Sequence, residues 1–330
     1  MIQGPSRSST YTDLALLVLL ATAWGAAYTF IKLGVETIPP ITLIAARTLI
    51  AGALLLAVLA ARGVAMPRAP AVWDAFMIQA CLNSVVPFTL IAWAEQTVEA
   101  GLAVILNSTT PIFAFLITVA ITRHEAVTAR KLVGVLLGIG GTCLIVGTAA
   151  LGGLGRDLLA QFAVVAASVC YACAAIFGRR FHGVDPMATA AGSMLCGAAL
   201  LVPASLLVDR PWTLAPSMTS ILALVALAVF STALAFAIYF RLLHTLGSVG
   251  TTAQAYIRVP IGVAIGVIFL GETLSPTAWI GLVCVVAGVA AMTMPPRRSA
   301  AREQVPVPRS AAREEVIIPG ERRRAAVEEG

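Results

Sequence analysis

Thr251, Gln254 and Arg258 fall at i, i+3 and i+7, which draws one polar stripe along a helix, and Pro260 follows two residues later in the stretch AYIRVPIGVAIG at 255–266. A guanidinium is a planar, permanently charged fork that grips a carboxylate through two parallel hydrogen bonds. In mid-membrane it costs on the order of 3 kcal/mol on insertion scales, so it is expected to face protein or a wet cavity rather than lipid. Pro260 donates no backbone bond. It frees the carbonyl of Tyr256 and bends its helix, as Pro111 does for Asn107. Loosened backbone survives in a bilayer only where protein or water satisfies it, so the stripe reads as a cavity wall. Two partners fit Arg258 at this point: the carboxylate of a bound small molecule, or freed carbonyls and an acid at the membrane interface.

Other polar and aromatic positions repeat at helical spacing. Trp24, Tyr28 and Lys32 recur every four residues, and Trp24 fits a cavity wall as well as core packing. Gln79 and Asn83 share a face, with Pro87 beyond them; buried amides are costly in hydrocarbon, which points to a cavity lining or to bonds between helices. Asn107 and Thr110 flank Pro111 and serve either role. Tyr171 with Ser168, and Tyr239 with Thr232, are candidate contacts for which aromatic packing is the default. Arg47 is expected to be a structural charge paired near the outer surface, with Glu36 a candidate partner. The acids Asp13, Glu36, Glu95, Glu99, Asp157, Asp209 and Glu272, and the histidines His124, His182 and His244, fall at segment ends or in loops. No buried carboxylate is therefore expected to carry a coupling proton, and the missing anion is assigned to the substrate. The candidate substrate-binding set is Trp24, Tyr28, Gln79, Asn83, Asn107, Tyr171, Tyr239, Gln254 and Arg258, with Pro111 and Pro260 as kinks; no cofactor or metal is called for.

The elements that must position these residues are membrane helices. The chain has 330 residues, is 59% hydrophobic and only 12% charged, and its mean hydropathy is +0.93, whereas charged residues make up about a quarter of a soluble domain. Apolar stretches near the roughly 20 residues needed to cross a bilayer recur at 14–34, 40–61, 72–93, 100–122, 131–149, 158–178, 187–208, 217–240, 247–270 and 276–294, ten in all. The first, though it begins like a secretory leader, runs on through Phe30 to Gly34 and is expected to be retained. With a cytoplasmic N-terminus, one face holds Arg7, Arg62, Arg68, Arg123, Arg130, Lys131, Arg179, Arg180, Arg241 and the tail arginines. The other keeps Arg156 and Arg210 in loops and Lys32 near a helix end, an asymmetry that the positive-inside rule expects. Both termini are expected in the cytoplasm and the localisation in the inner membrane. The net charge of +6 is then a topology signal, and no nucleic-acid partner is expected. Residues 295–330, rich in Arg, Glu and Pro, are expected to form a disordered cytoplasmic tail. The six cysteines all fall within apolar spans and need no pairing.

The chain also repeats itself. The stretches beginning at Ala100 and Val249 share a small-residue start, a mid-span proline (Pro111, Pro260), a trailing glutamate (Glu125, Glu272) and a following glycine-spaced helix (Gly134 and Gly141, Gly281 and Gly288). Gly134, Gly138 and Gly141 place small residues on one stripe, where backbones approach closely. Five spans per copy, an odd number, require the second copy to enter the bilayer upside down. Inverted repeats that rock about a midplane site are a transporter arrangement.

WGAAYTFIKLG from Trp24, the early arginine of the second span, AGLAVILNSTTPIFAFLIT from Ala100 with its glutamate, and the glycine-spaced fifth helix, all repeated, resemble the EamA domain of the drug/metabolite transporter superfamily over residues 14–294. That resemblance implies an all-α membrane protein of ten transmembrane helices in two inverted five-helix repeats (14–149 and 157–294), a central cavity, and transport of small metabolites, often amino-acid export. Arg258 departs from the family pattern, which carries uncharged residues before this proline, and is a candidate for this protein's own selectivity. An embedded enzyme needs a nucleophile with its base, a metal cluster or an acid pair in mid-membrane, and none is visible in the spans. A channel needs a continuous polar filter; a cation exporter needs a buried acid. The expected function is alternating-access export of carboxylate-bearing metabolites, amino acids first. The expected partners are the small-molecule substrate and the lipid bilayer, and the alternatives are export of other metabolites or drugs, or a channel-like facilitator.

Overall fold

The computed structural model describes residues 7–122, 128–151, 156–245 and 254–293. Thr251, His124, Glu125 and the 295–330 tail therefore lie outside the described residues. Within them the chain is helical and contains no strand: α1 (Arg7–Val35), α2 (Pro40–Ala61), α3 (Pro70–Ala94), α4 in two halves (Ala100–Asn107 and Thr110–Thr122), α5 (Ala129–Leu151), α6 (Arg156–Phe177), α7 (Pro186–Val208), α8 (218–245), α9 (Gln254–Leu270) and α10 (Pro276–Thr293). These rods coincide with the apolar stretches to within a few residues, apart from α1, which starts earlier, and α9, for which 247–253 of the expected stretch lie outside the described residues. Among the described residues, seven stretches, in α1 to α4 and α6 to α8, are long and apolar enough to cross a membrane; α9 and α10 carry the shorter apolar runs Ile257–Leu270 and Pro276–Ala291. All six cysteines are free thiols.

Helix ends follow from local chemistry. Proline opens α2, α3, α7 and α10, where its missing N–H costs nothing. Asp185 caps α7 by accepting from the N–H groups of Met187 (2.8 Å) and Ala188 (3.2 Å), and Ser217 caps α8 through the Ser220 N–H (3.1 Å). Other ends are closed by distant parts of the chain. Asp209, after α7, accepts from the Thr42 N–H (2.9 Å) in the first turn of α2, and Ser220 of α8 donates to the Leu33 carbonyl (2.7 Å) of α1.

Two helices carry a π turn at the same offset from their start: Cys81–Val85 in α3, eleven residues after Pro70, and Val229–Leu234 in α8, eleven after Met218. Such turns add a residue to the backbone ring and frequently mark functional positions.

The packing partners also correspond between halves. α2 lies on α7, α5 on α10, and the first half of α4 on α9; α1 packs on α8 and α9, as α6 packs on α3 and α4. The glycine stripes meet face to face. A Cβ on Gly288 would stand 2.6 Å from the Gly134 carbonyl, and one on Gly141 2.9 Å from the Gly281 carbonyl, so α5 and α10 touch backbone to backbone. The main core gathers Leu43, Ile44 and Leu55 of α2 with Met194 of α7 and Leu227 of α8. Outward lie Leu207, Ile268 and Phe269, 73–80% exposed, a surface that suits lipid rather than water.

Candidate functional site

The centre of the bundle holds a chain of buried hydrogen bonds through three helices. Asn107, the last residue of the first half of α4, donates its amide to the Tyr28 hydroxyl of α1, and Ser168 of α6 lies 3.1 Å from Asn107 Oδ1. The break in α4 puts Asn107 there. Pro111, second residue of the second half, frees the Asn107 carbonyl, which takes the Thr110 hydroxyl (2.8 Å), and hydroxyls also close the carbonyls just before the break: Ser108 on Ile105 (2.6 Å) and Thr109 on Leu106 (2.7 Å). Self-satisfied backbone of this kind is what a break at membrane depth requires. Pro260, by contrast, sits inside one continuous helix, α9, on its exposed side.

Two guanidiniums act on this centre, one from each half of the chain. Arg258 of α9 is half-buried, its Nε is enclosed without a hydrogen-bond partner, and its charge acts on both Tyr28 and Tyr171. Arg47 of α2 acts on the same two tyrosines. It is 5% exposed, donates through Nε to Thr232 (3.0 Å), and lies 3.7 Å above the Phe88 ring, which in turn tilts against Tyr171 at 6.2 Å. Thr232 belongs to the π turn of α8 and passes its own proton to the Leu227 carbonyl (2.8 Å). The Arg47 guanidinium is thus stacked on an aromatic face and hydrogen-bonded through Nε. The expected pairing of Arg47 with Glu36 near the surface is therefore replaced by a position in the core. The insertion cost that singles out Arg258 applies equally to Arg47, and it was the available signal.

The other candidates separate into two groups. Trp24 meets Tyr239 (5.5 Å) and Phe236 (6.1 Å) of α8 in an aromatic cluster that also contains Ile257, next to Arg258. Both rings are half-buried and pack the α1–α8 contact. Gln254, on the turn of α9 before Arg258, is buried with Oε1 unpartnered. Gln79 lies farther off, its amide beside Gly178 at the end of α6 with Oε1 again unpartnered, and Asn83 sits half-buried in the π turn of α3. The structure thus brings together Tyr28, Asn107, Tyr171 and Arg258, adds Arg47 and Ser168, and leaves Gln79 off the centre.

At the end where α3 meets α4 the structure corrects the expectation of an interior without acids. Glu95, directly after α3, is fully buried and neither carboxylate oxygen has a hydrogen-bond partner. Burial pushes its carboxyl well above the usual range, Lys32 opposing and Glu272 adding to the rise. Lys32 spends its protons on the carbonyls of Glu95 (2.7 Å) and Val98 (2.9 Å), closing the end of α3. Glu272 accepts from the N–H groups of Ala100 (2.6 Å) and Gly101 (2.8 Å), so a loop acid from one half caps a helix of the other. Its approach depends on Gly101 and Gly266: a Cβ at Gly101 would stand 3.1 Å from Glu272 Oε2. Glu99, half-buried beside them, is also raised, first by burial and then by Glu272.

The fold and the sequence both have counterparts among known proteins. A crystal structure 22% identical in sequence superposes with a TM-score of 0.61 over 89% of this chain and all of that one, a likeness of fold. The uncharacterized inner membrane transporter YedA of Escherichia coli K12 is 30% identical over 280 residues, 84% of this chain and 89% of that protein. At 26% identity stand a probable terminal-alkyne amino-acid exporter of Streptantibioticus cattleyicolor (87% of this chain, 94% of that protein) and a probable amino-acid metabolite efflux pump of Escherichia coli K12 (84% and 93%). The model of the EamA-like transporter family matches twice, at residues 13–147 and 158–294. With a duplicated match over most of its length, the chain belongs to the EamA-like transporter family and is a membrane transporter.

Proposed function

We propose that the protein exports small carboxylate-bearing metabolites, amino acids first, across the inner membrane by alternating access. In this reading all ten helices span the bilayer as two oppositely inserted repeats, 14–149 and 157–294, with both termini and the 295–330 tail in the cytoplasm. The positive charge on one set of loops supports that orientation. The correspondence of packing partners and of the two π turns supports the duplication on which alternating access rests.

The observation that carries the substrate class is the partnerless Nε of Arg258, whose charge, like that of Arg47, acts on Tyr28 and Tyr171. Two cations beside neutral hydroxyls and amides make a site for an anion. The carboxylate binds Arg258, with Arg47 within the same charged field. Asn107, Gln254 and Asn83 orient the polar part of the substrate, and Trp24 and Tyr239 offer an aromatic surface to its side chain. The exporters among the relatives make amino acids the first substrates to test.

The test is transport of a panel of labelled amino acids in proteoliposomes by the wild type and Arg258→Ala. A charge-assisted pair contributes roughly 1.5–3 kcal/mol, so the variant is expected to lose about ten- to a hundredfold in affinity for carboxylate substrates. Equal transport by both proteins overturns the anchor. Turnover without saturation, as current, would favour a channel-like facilitator instead.

A further inference from the structure

We propose that Glu95 is a proton-binding site that must be filled for the α3–α4 end of the bundle to close. The inference rests on alternating access, since it assigns a task to one of the two ends. Glu95 has no exposed surface and neither oxygen meets a donor, although donors are close by. The donors are already spent. Lys32 of α1 gives its protons to backbone carbonyls, one of them that of Glu95 itself, and the N–H groups at the start of α4 are taken by Glu272. The charged groups acting on the Glu95 carboxyl are Lys32 from α1, Glu272 from the α9–α10 link and Arg47 from α2. The nearer cation is held off by its backbone bonds and the second acid repels. An ionised carboxylate without partners in such a place is strongly disfavoured, and the group avoids the cost by holding a proton.

Opening this end would bring water to Glu95, and the carboxyl would release its proton to that water; closing would take one back from the same side. The sign follows from linkage. The closed end holds the proton at higher pH than the open end does. Between the ordinary glutamate range and the raised closed-state value, each unit of rising pH favours opening by up to about tenfold. Below that window both states are protonated, above it both are ionised, and the dependence vanishes. Closure of this end by protonation is separate from substrate choice, which belongs to Arg258.

The experiment uses the full chain in proteoliposomes, comparing wild type with Glu95→Gln, a neutral residue of the same shape. Infrared difference spectra are expected to show a protonated carboxyl in the wild type at neutral pH that is missing from Glu95→Gln. Substrate exchange is expected to vary with the pH on the α3–α4 face in the wild type and to be flat in the variant. If Glu95→Gln is not recovered folded, Glu95→Asp retains the acid and is expected to shift the titration of the same band. A variant with the wild-type pH profile, or spectra in which no carboxyl band depends on position 95, overturns the proposal. Since the band is read without substrate, its loss or persistence is distinguishable from any failure of Arg258→Ala to alter transport.

Discussion

Arg47 of α2 is held in the core between an aromatic ring and a hydroxyl. Its guanidinium is stacked on Phe88 and bonded at one edge to Thr232, and a lysine reproduces neither feature. Arg47→Lys is expected to lower affinity for carboxylate substrates nearly as far as Arg47→Ala, measured by equilibrium binding; full retention by the lysine would show that charge alone matters. Tyr28→Phe strands the Asn107 amide in a buried place, at a cost of roughly 1–3 kcal/mol. A lowered thermal midpoint in detergent, with Ser168 and Asn107 intact, is the expected result. Arg258 and Tyr28 stand out in the sequence by recurring with other polar or aromatic residues at helical spacing, and Asn107 by flanking Pro111; each is a polar group in an apolar run that demands a partner. Arg47, a third of the way into the second span, demands a partner by the same logic; the sequence suggests one near the surface, and the structure supplies Thr232 and Phe88 in the core instead. Glu95 was not legible: at the end of a helix it looks like a loop acid, and its burial comes from α1 and from the α9–α10 link, distant in sequence.

The helix ends and the broken helix set where those residues stand. Glu272 ties α4 to the second half through two charge-assisted bonds. Glu272→Gln leaves only one good acceptor for two N–H groups and turns an amide toward the other, so a loss of about 1–3 kcal/mol is expected, read as a lower thermal midpoint. Gly288→Leu drives a side chain into the Gly134 backbone and should separate α5 from α10, abolishing recovery of folded protein or costing at least about 1–3 kcal/mol. The glycine stripes were visible as close-packing faces. What the sequence withheld was the π turns of α3 and α8, which depend on an extra backbone residue accommodated by neighbours, and the way hydroxyls at 108–110 heal the break in α4.

At the scale of the molecule, duplication was readable because the same proline, glutamate and glycine spacings return at a fixed interval, and the family match at 13–147 and 158–294 bears it out. Inverted insertion has its own test. With the free cysteines replaced, Glu36→Cys and His182→Cys stand in equivalent loops of the two halves, both exposed. Labelling by an impermeant thiol reagent is expected from opposite faces of the membrane, whereas labelling from one face would mean parallel repeats. The central claim is that a carboxylate is recognised by paired guanidiniums at the heart of the bundle. Its most direct measurement is binding of an amino acid against its carboxamide, for the wild type and for Arg258→Ala. The expected result is a preference of about tenfold or more for the acid in the wild type that disappears in the variant; equal binding of acid and amide by the wild type would contradict it.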